Sequence, residues 1–468
     1  MYVIMKRKLL LVLLAGGMTT MPAVSDTVRL TTATPVGETV EIAINGSLQP
    51  KLVWEDGSET VVSSTGQLES VEVKSATFSV ESGGSLIALY APDAALTAID
   101  LSEAPDLEVL NCPNNQLTEL DLTGVTALKD LDVQGNALKE MNLTGKVNFL
   151  ETLNCAYNEL TALRLGAKPS LTTLICAGNQ LKTLSLGNYP ALRTVWCQDN
   201  GLTSLILPRH ENFRTLYAYN NALKNVILAA PALTTLMVDH NQLDELDLSN
   251  AAQLAEVDVD HNRLSLITMT ESSAETFTRF YAHENALSYN SFPTPDHLTA
   301  YALQPQSPYE LGIAPEVNEE FKISSHFVQN AQGEGTIFTL NWFDAQTGEP
   351  LVEDSDFSSK IKGTYTFLKG FPDGVYAEVT TRLYPDVTIR TAKMPVGTPS
   401  VGIDAPTLAG SLTVSEGTLT LKLASASRVR IVSPSGAVLV DKELPAGTRS
   451  WSLGSGVYLV NGTKVLIP

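Results

Sequence analysis

At 468 residues the chain is too long for one ordinary hydrophobic core and points to about three domains. Acidic residues outnumber basic ones by 51 to 31, a formal charge of −20, which keeps a protein soluble and repels nucleic acid and anionic lipid. Nucleic acid is therefore not an expected partner.

The chain opens MYVIMKRKLLLVLLAGGMTTMPAVSD. Lys6, Arg7 and Lys8 precede a short apolar run, and Ala23 and Ser25 are small residues placed for cleavage before Asp26. This layout over residues 1–25 predicts a secretory signal, too short to span a membrane. No later run reaches the ~18 apolar residues a spanning helix needs, so the mature chain is expected to be exported and not membrane-spanning. Residues 26–85 then alternate in short runs (TVRLTT, ETVEIAI, LVWED, ETVVSS, LESVEV) broken by the turn pairs Asn45-Gly46 and Asp56-Gly57. They predict an N-terminal β cap for the array that follows.

Residues 86–292 are governed by a period. Asn115, Asn136, Asn158, Asn179, Asn200, Asn221, Asn241, Asn262 and Asn285 recur every 20 to 23 residues, each followed two positions later by leucine. Five positions before each asparagine lies a large apolar residue, from Leu110 to Phe280. A leading coil, LIALYAPDAALTAIDL, has Ala94 where the asparagine belongs. Such a period means a solenoid, because one coil cannot bury its own apolar side and stacked coils share a core. The asparagine amide is expected to turn inward and pair turn backbone groups, forming a ladder. The pattern resembles the leucine-rich repeat, L-x-x-L-x-L-x-x-N/C-x-L, across residues 107–287. The expected fold class is therefore mainly β: a leucine-rich repeat solenoid with a parallel sheet, flanked by an N-terminal β cap and two C-terminal β-sandwich domains.

The four cysteines fall on this template. Cys112, Cys155, Cys176 and Cys197 lie three before an asparagine, where other coils carry valine or alanine, so they are expected to be buried, free core residues. After Leu287 the repeat is expected to fail, with SFPTPDHLTAYALQPQSPYELGI as a proline-marked exit.

Residues 305–396 carry β runs (EFKISSHF, GTIFTLNWFDA, GTYTFLKG, VYAEVTTRLYPDVTIRTAKM) around Trp342 and predict an immunoglobulin-like sandwich without a disulfide. A repeat array followed by such a sandwich is similar to the bacterial internalins. YALQPQSPYEL together with TFLKGFPDGVYAEVTTRLYPDVTIRT looks like the post-repeat domain of internalin J-like surface proteins from Bacteroidota. A linker at 397–410 leads to 411–468, where seven short strands make a compact sandwich. The VRIVSPSGAVLV hairpin with Gly436, the Gly456 to Tyr458 triplet and Lys464 resemble a type IX secretion sorting domain. That resemblance implies the type IX machinery as a partner and a cell-surface (outer membrane exterior) or secreted location. It departs from the pattern in ending Ile467-Pro468 with a very short last hairpin.

Catalytic signals do not emerge. No G-x-S-x-G, H-E-x-x-H or phosphate loop occurs, and no cofactor is implied. VDVDHN, residues 257–262, copies the opening of a calcium loop, but Arg263 stands where the turn glycine is needed and Met269 where the bidentate glutamate belongs. Neighbouring coils should bring Asp239, Asp258, Asp260, His240 and His261 together. A divalent ion is one reading of that group; a solvated acidic face, with no metal, is the one adopted.

Two function classes follow. The first is an adhesion or recognition module that presents the strand face of its repeats to a protein or glycan at a host or bacterial surface, with a role in biofilm growth or host attachment. The second is a hydrolase of surface glycans or peptides using acidic residues of that sheet. The residues expected to bind lie four and two before the asparagines. Ile175, Trp196, Tyr217 and Met237 should form an exposed apolar ribbon, widened by Tyr219 and bordered by Asp239, Asp258 and Asp260. Threonine would serve folding equally well at such positions, so large aromatics there point to recognition.

Overall fold

The computed structural model describes residues 25–397, apart from 188, 208, 271–274, 313–314, 324–326, 328–336 and 362. It also describes 410–467, apart from 416–417, 425–426, 434–437, 454–455 and 461–462. The leader, most of the expected linker and Gly436 lie outside the described residues. The chain is a leucine-rich repeat solenoid, almost wholly β; among the described residues the helical segments are the 3-10 turns Tyr289–Ser291 and Pro295–His297. It divides into two compact units, Met1–Asn179 and Gln180–Pro468.

The first unit begins with an antiparallel sheet in which Thr27–Thr32 pairs with Thr77–Glu81 and with Leu96–Glu103. Thr39–Gly46 runs antiparallel to Leu86–Tyr90, and from there the pairing becomes parallel. Val109–Asn111, Asp130–Asp132, Thr152–Asn154 and Thr173–Ile175 follow, one strand per coil, in register. Each three-residue strand buries its middle residue and leaves its two ends partly open. Strand alternation dictates this, and the leucines of the flanking turns, such as Leu150 and Leu160 around Leu153, complete the core of each coil. The degenerate leading coil is present as read: Leu89 pairs with Leu110, and buried Ala94 occupies the asparagine position.

The asparagines do what the period requires. Asn158 Oδ1 accepts the Leu138 N–H at 3.0 Å, and its Nδ2 donates to the carbonyls of Val133 (3.0 Å), Cys155 (3.2 Å) and Ala156 (3.2 Å). One amide thus satisfies groups of two successive coils, which buried apolar neighbours could not pair. The residue before each of the nine asparagines is left-handed, from Asn114 (φ 56°) to Glu284 (φ 51°), with glycine at 135 and 178. All four cysteines are fully buried thiols outside any disulfide.

In the second unit Thr194–Trp196, Thr215–Tyr217, Thr235–Met237, Glu256–Asp258 and Arg279–Tyr281 pair in parallel register. The ladder is the same: Asn241 Oδ1 accepts from Leu223 N, and Nδ2 donates to Ala218, Val238 and Asp239 carbonyls. The repeat does not stop at Leu287, as expected from sequence. Ala300–Ala302 adds another parallel strand to Arg279–Tyr281, and Gln306 stands in for the asparagine. Its Oε1 accepts from Leu287 N at 2.9 Å, and its Nε2 reaches the Ala282 and Leu303 carbonyls at 2.7 Å each. Glutamine carries the same amide on a longer arm, so the ladder survives the lost consensus.

Two antiparallel sheets follow in this unit. One is Glu320–Lys322, Thr364–Phe367 and Phe357–Ile361; the other is built on Phe338–Asp344 and Phe371–Thr381. Buried Trp342 joins them, its ring 5.8 Å from Phe321, 5.5 Å from Tyr365 and 5.1 Å from Phe367. They are tied to the last coils by Tyr289, whose hydroxyl lies 2.9 and 2.8 Å from the Val379 and Val387 carbonyls. Seven strands between Gly410 and Ile467 form a three-stranded and a four-stranded sheet over a core of Leu419, Leu421, Val429, Ile431 and Val460.

Candidate functional site

In-register parallel strands turn each outward position into a row along the sheet. In the first unit the row four before the asparagine is Tyr90, Asn111, Asp132, Asn154 and Ile175. It is mostly polar and pairs with itself: Asn154 Nδ2 donates to Asp132 Oδ2 at 3.2 Å and to Gln134 Oε1 at 3.0 Å. In the second unit the same row is Trp196, Tyr217, Met237, Asp258 and Tyr281. The Trp196 and Tyr217 rings meet edge to face at 5.5 Å, the arrangement their quadrupoles favour, and Trp196 stays 38% exposed. Tyr217 and Met237 are half-buried.

Of the expected ribbon, Trp196, Tyr217 and Met237 share one row of the second unit, and Ile175 holds the same position in a coil of the first. The position two before the asparagine is less open than expected. Gln198 and Asp260 are buried, as are Ala156 and Ala177 in the first unit, while Tyr219 and Asp239 are half-buried. The chain there is already turning into the left-handed residue that precedes the asparagine.

The acidic group is not a solvated face. Asp260 Oδ1 accepts from His261 Nδ1 at 2.9 Å and lies 3.7 Å from His240 Nδ1, while Oδ2 lies 3.3 Å from His283 Nδ1. Asp239 Oδ2 is 3.0 Å from His240 Nδ1, and Asp258 accepts the Asp260 N–H at 3.2 Å. The His240 and His261 rings stack at 4.2 Å and 10°. Burial, then the Asp260 and Asp239 charges, push Asp258 up to about 7; burial also raises Asp239. Adjacent coils desolvate these acids, which is why a solvated face does not form.

Sequence reasoning placed His240 and His261 near the acids but not His283, although its position two before Asn285 was readable. It also passed over the opposite face of the second unit. There Ser204–Leu207 and Asn225–Leu228 pair in parallel and leave the partners Ile206 and Ile227 exposed by 56% and 55%. The alternation SLIL and NVIL was the available signal.

No family model and no curated protein matches the chain. Among solved structures it is similar to the leucine-rich repeat domain of APL1, with 23% identity, a TM-score of 0.33, 40% of this chain covered and 57% of that one. It is similar to YopM from Yersinia enterocolitica WA-314, with 23% identity, a TM-score of 0.35, and 48% and 56% covered. It is also similar to the functional domain of InlJ from Listeria monocytogenes, which includes a cysteine ladder, with 16% identity, a TM-score of 0.27, and 69% and 94% covered. These neighbours are leucine-rich repeat proteins, internalin-like ones among them, and the chain spans little more than half the length of the APL1 and YopM chains. Among the described residues no helix is long and apolar enough to cross a membrane.

Proposed function

We propose that the chain is a non-enzymatic recognition protein that binds a protein or glycan partner through the strand face of its second unit. One observation carries the reading: Trp196, packed on Tyr217, remains exposed in a row where the first unit places asparagine and aspartate. The fold is served equally by either composition, so the aromatics answer to something outside the fold. Aromatic anchors beside polar neighbours are the usual centre of a protein or sugar contact. Met237 extends the anchor, Tyr219 widens it, and Asp239, Asp258 and Asp260 with their histidines set its polar border. Ile175 supplies the corresponding position in the first unit.

The address is part of the same proposal. The Lys6–Lys8 leader and the seven-stranded terminal domain support export by a type IX route in a Bacteroidota-like cell, to the cell surface or beyond, with adhesion, host attachment and biofilm growth as the roles that location serves. Asp26 is buried, its Oδ2 accepting the Leu86 N–H at 2.8 Å, so a mature chain beginning there keeps this tie. Mass spectrometry of fractionated cells should find an N-terminus near Asp26 and extracellular material lacking residues beyond about 400, the start expected from signal cleavage. Intact Pro468 on extracellular protein speaks against removal of the terminal domain, and confinement to the cytoplasm overturns the address.

The binding reading is tested by panning the immobilised chain against surface-protein and glycan libraries while assaying the same glycans and peptides for cleavage. Saturable retention without turnover is expected. Turnover would replace recognition with a hydrolase, and retention lost on Ile206→Ser with Ile227→Ser, but not on Trp196→Ala, would move the site to the opposite face.

A further inference from the structure

The histidines of the second unit converge more closely than folding requires. His240 and His261 hold the left-handed position before the asparagine in consecutive coils, at φ 51° and 48°. Histidine tolerates that conformation, but asparagine, aspartate and glycine hold it in most other coils, and none of those brings an imidazole to a carboxylate. His283 arrives from the next coil at a different position, two before Asn285. All three present Nδ1 to one buried carboxylate, that of Asp260, at 3.7, 2.9 and 3.3 Å. The Nδ1 of His283 is sealed from solvent and, though 3.3 Å from Asp260 Oδ2, makes no aligned hydrogen bond to it. Donor atoms of His240, Asp260 and His261 all lie within 4.8 Å of one another.

We propose that His240, Asp260 and His261, with His283 as the fourth donor, bind a divalent first-row transition ion of the zinc class. A tetrahedral ion with arms of about 2.0–2.1 Å separates its ligand atoms by about 3.3 Å, which is the scale of the Asp260-to-imidazole distances. The exposed His240 and His261 rings, stacked on each other at 10°, must rotate out of the stack to aim both nitrogens at the ion. Imidazole nitrogen with one carboxylate suits zinc, copper or nickel, whereas calcium takes six to eight oxygens and magnesium an octahedron of them. A metal at this point offsets the charge gathered at Asp239, Asp258 and Asp260 and gives the His283 nitrogen, poorly aligned on Asp260, a directed bond. The backbone supplies pre-organisation: each histidine leaves the sheet from a coil whose position is fixed by the amide of the next residue or the one after, through the Asn241 and Asn262 ladders. The site stands whether or not the aromatic row beside it binds a partner.

The test uses the full chain stripped with a chelator and titrated with zinc chloride by calorimetry, with elemental analysis for stoichiometry. One ion per chain is expected, and cobalt(II) should give the intense visible bands of a four-coordinate site. His240→Gln, His261→Gln, Asp260→Asn and His283→Gln should each weaken uptake by roughly 10- to 100-fold. His297→Gln, an exposed histidine outside the group, should leave it unchanged. His240 and His261 are exposed, and the metal-free thermal transition of each variant is measured so that uptake is compared only between chains folded at the assay temperature. Absence of saturable zinc uptake, wild-type affinity in His261→Gln and in Asp260→Asn, or a preference for calcium over zinc would each overturn the proposal.

Discussion

The strand faces of the two units are built on the same coil and differ in what they show to solvent. Inside, Asn158 in the first unit and Asn241 in the second hold their turns with the same set of bonds, and the strands Val109–Asn111, Asp130–Asp132, Thr152–Asn154, Thr173–Ile175, Thr194–Trp196, Thr215–Tyr217, Thr235–Met237, Glu256–Asp258 and Arg279–Tyr281 each bury one leucine, valine or phenylalanine. Outside, Asn111, Asp132 and Asn154 in the first unit correspond to Trp196, Tyr217 and Met237 in the second. The inward positions are fixed by the requirement that buried polar groups be paired and apolar ones packed. The outward positions carry no such requirement, so their divergence is where function is written.

Breaking the shared interior should cost the two units alike. Asn158→Ala and Asn241→Ala each leave one buried N–H, of Leu138 or Leu223, without its acceptor, while the carbonyls the amide served keep a second donor from a neighbouring coil. Each should destabilise its unit by about 1–3 kcal/mol, seen as a lowered urea midpoint. A loss in one unit and none in the other would show that the ladders are not equivalent.

The thiols sharpen the same point through pH. Burial pushes Cys112 in the first unit and Cys197 in the second up to about 12 from an ordinary 9.0. Below pH 9 both folded and unfolded chains hold these protons and the stabilisation is complete. As pH rises from 9 towards 12 the unfolded chain ionises while the folded one does not, and stability falls by up to about 1.4 kcal/mol per pH unit per thiol. Denaturation between pH 8 and 10.5 should show this slope, and Cys112→Ala or Cys197→Ala should each remove one share of it. Native labelling of all four thiols should be slow and become complete only on unfolding.

A smaller effect is expected at the left-handed column. Gly178 (φ 63°) and Asn220 (φ 51°) hold the same place in their coils. A methyl at Gly178 would also sit 2.5 Å from the Tyr157 ring, which is exposed and free to yield. Gly178→Ala should cost about 1–2 kcal/mol, the strain of a side chain in that region, and Asn220→Ala less, because asparagine already carries a Cβ there; both are read from thermal transitions.

Much of this was legible because a single side chain serves each coil. The asparagine period announced the solenoid, the small residues three before it placed the cysteines in the core, and even the Ala94 coil could be recognised. Gln306 was missed because the leucine pattern breaks around it, with exposed Tyr301 at the inward register position; a ladder needs an amide, not an asparagine. Lys168 could not be foreseen either. It is fully buried, its ammonium donating to the Leu143 and Leu165 carbonyls at 2.9 and 2.6 Å, a turn solution that composition hides. The site was readable as rows but not as contacts. Whether Asp260 meets His283 depends on the path of a 23-residue coil between Asn262 and Asn285, and that path is set by packing.

The central claim is that the exposed row of the second unit binds the partner while the matching row of the first does not. Binding to partners captured by panning should be compared for Trp196→Ala with Tyr217→Ala and for Asn111→Ala with Asp132→Ala, alongside the thermal transition of each. The account predicts at least about tenfold weaker binding, about 1.4 kcal/mol, for the aromatic pair with little change in its transition, and unaltered binding for the polar pair. Wild-type binding by a normally folded aromatic double variant would contradict it.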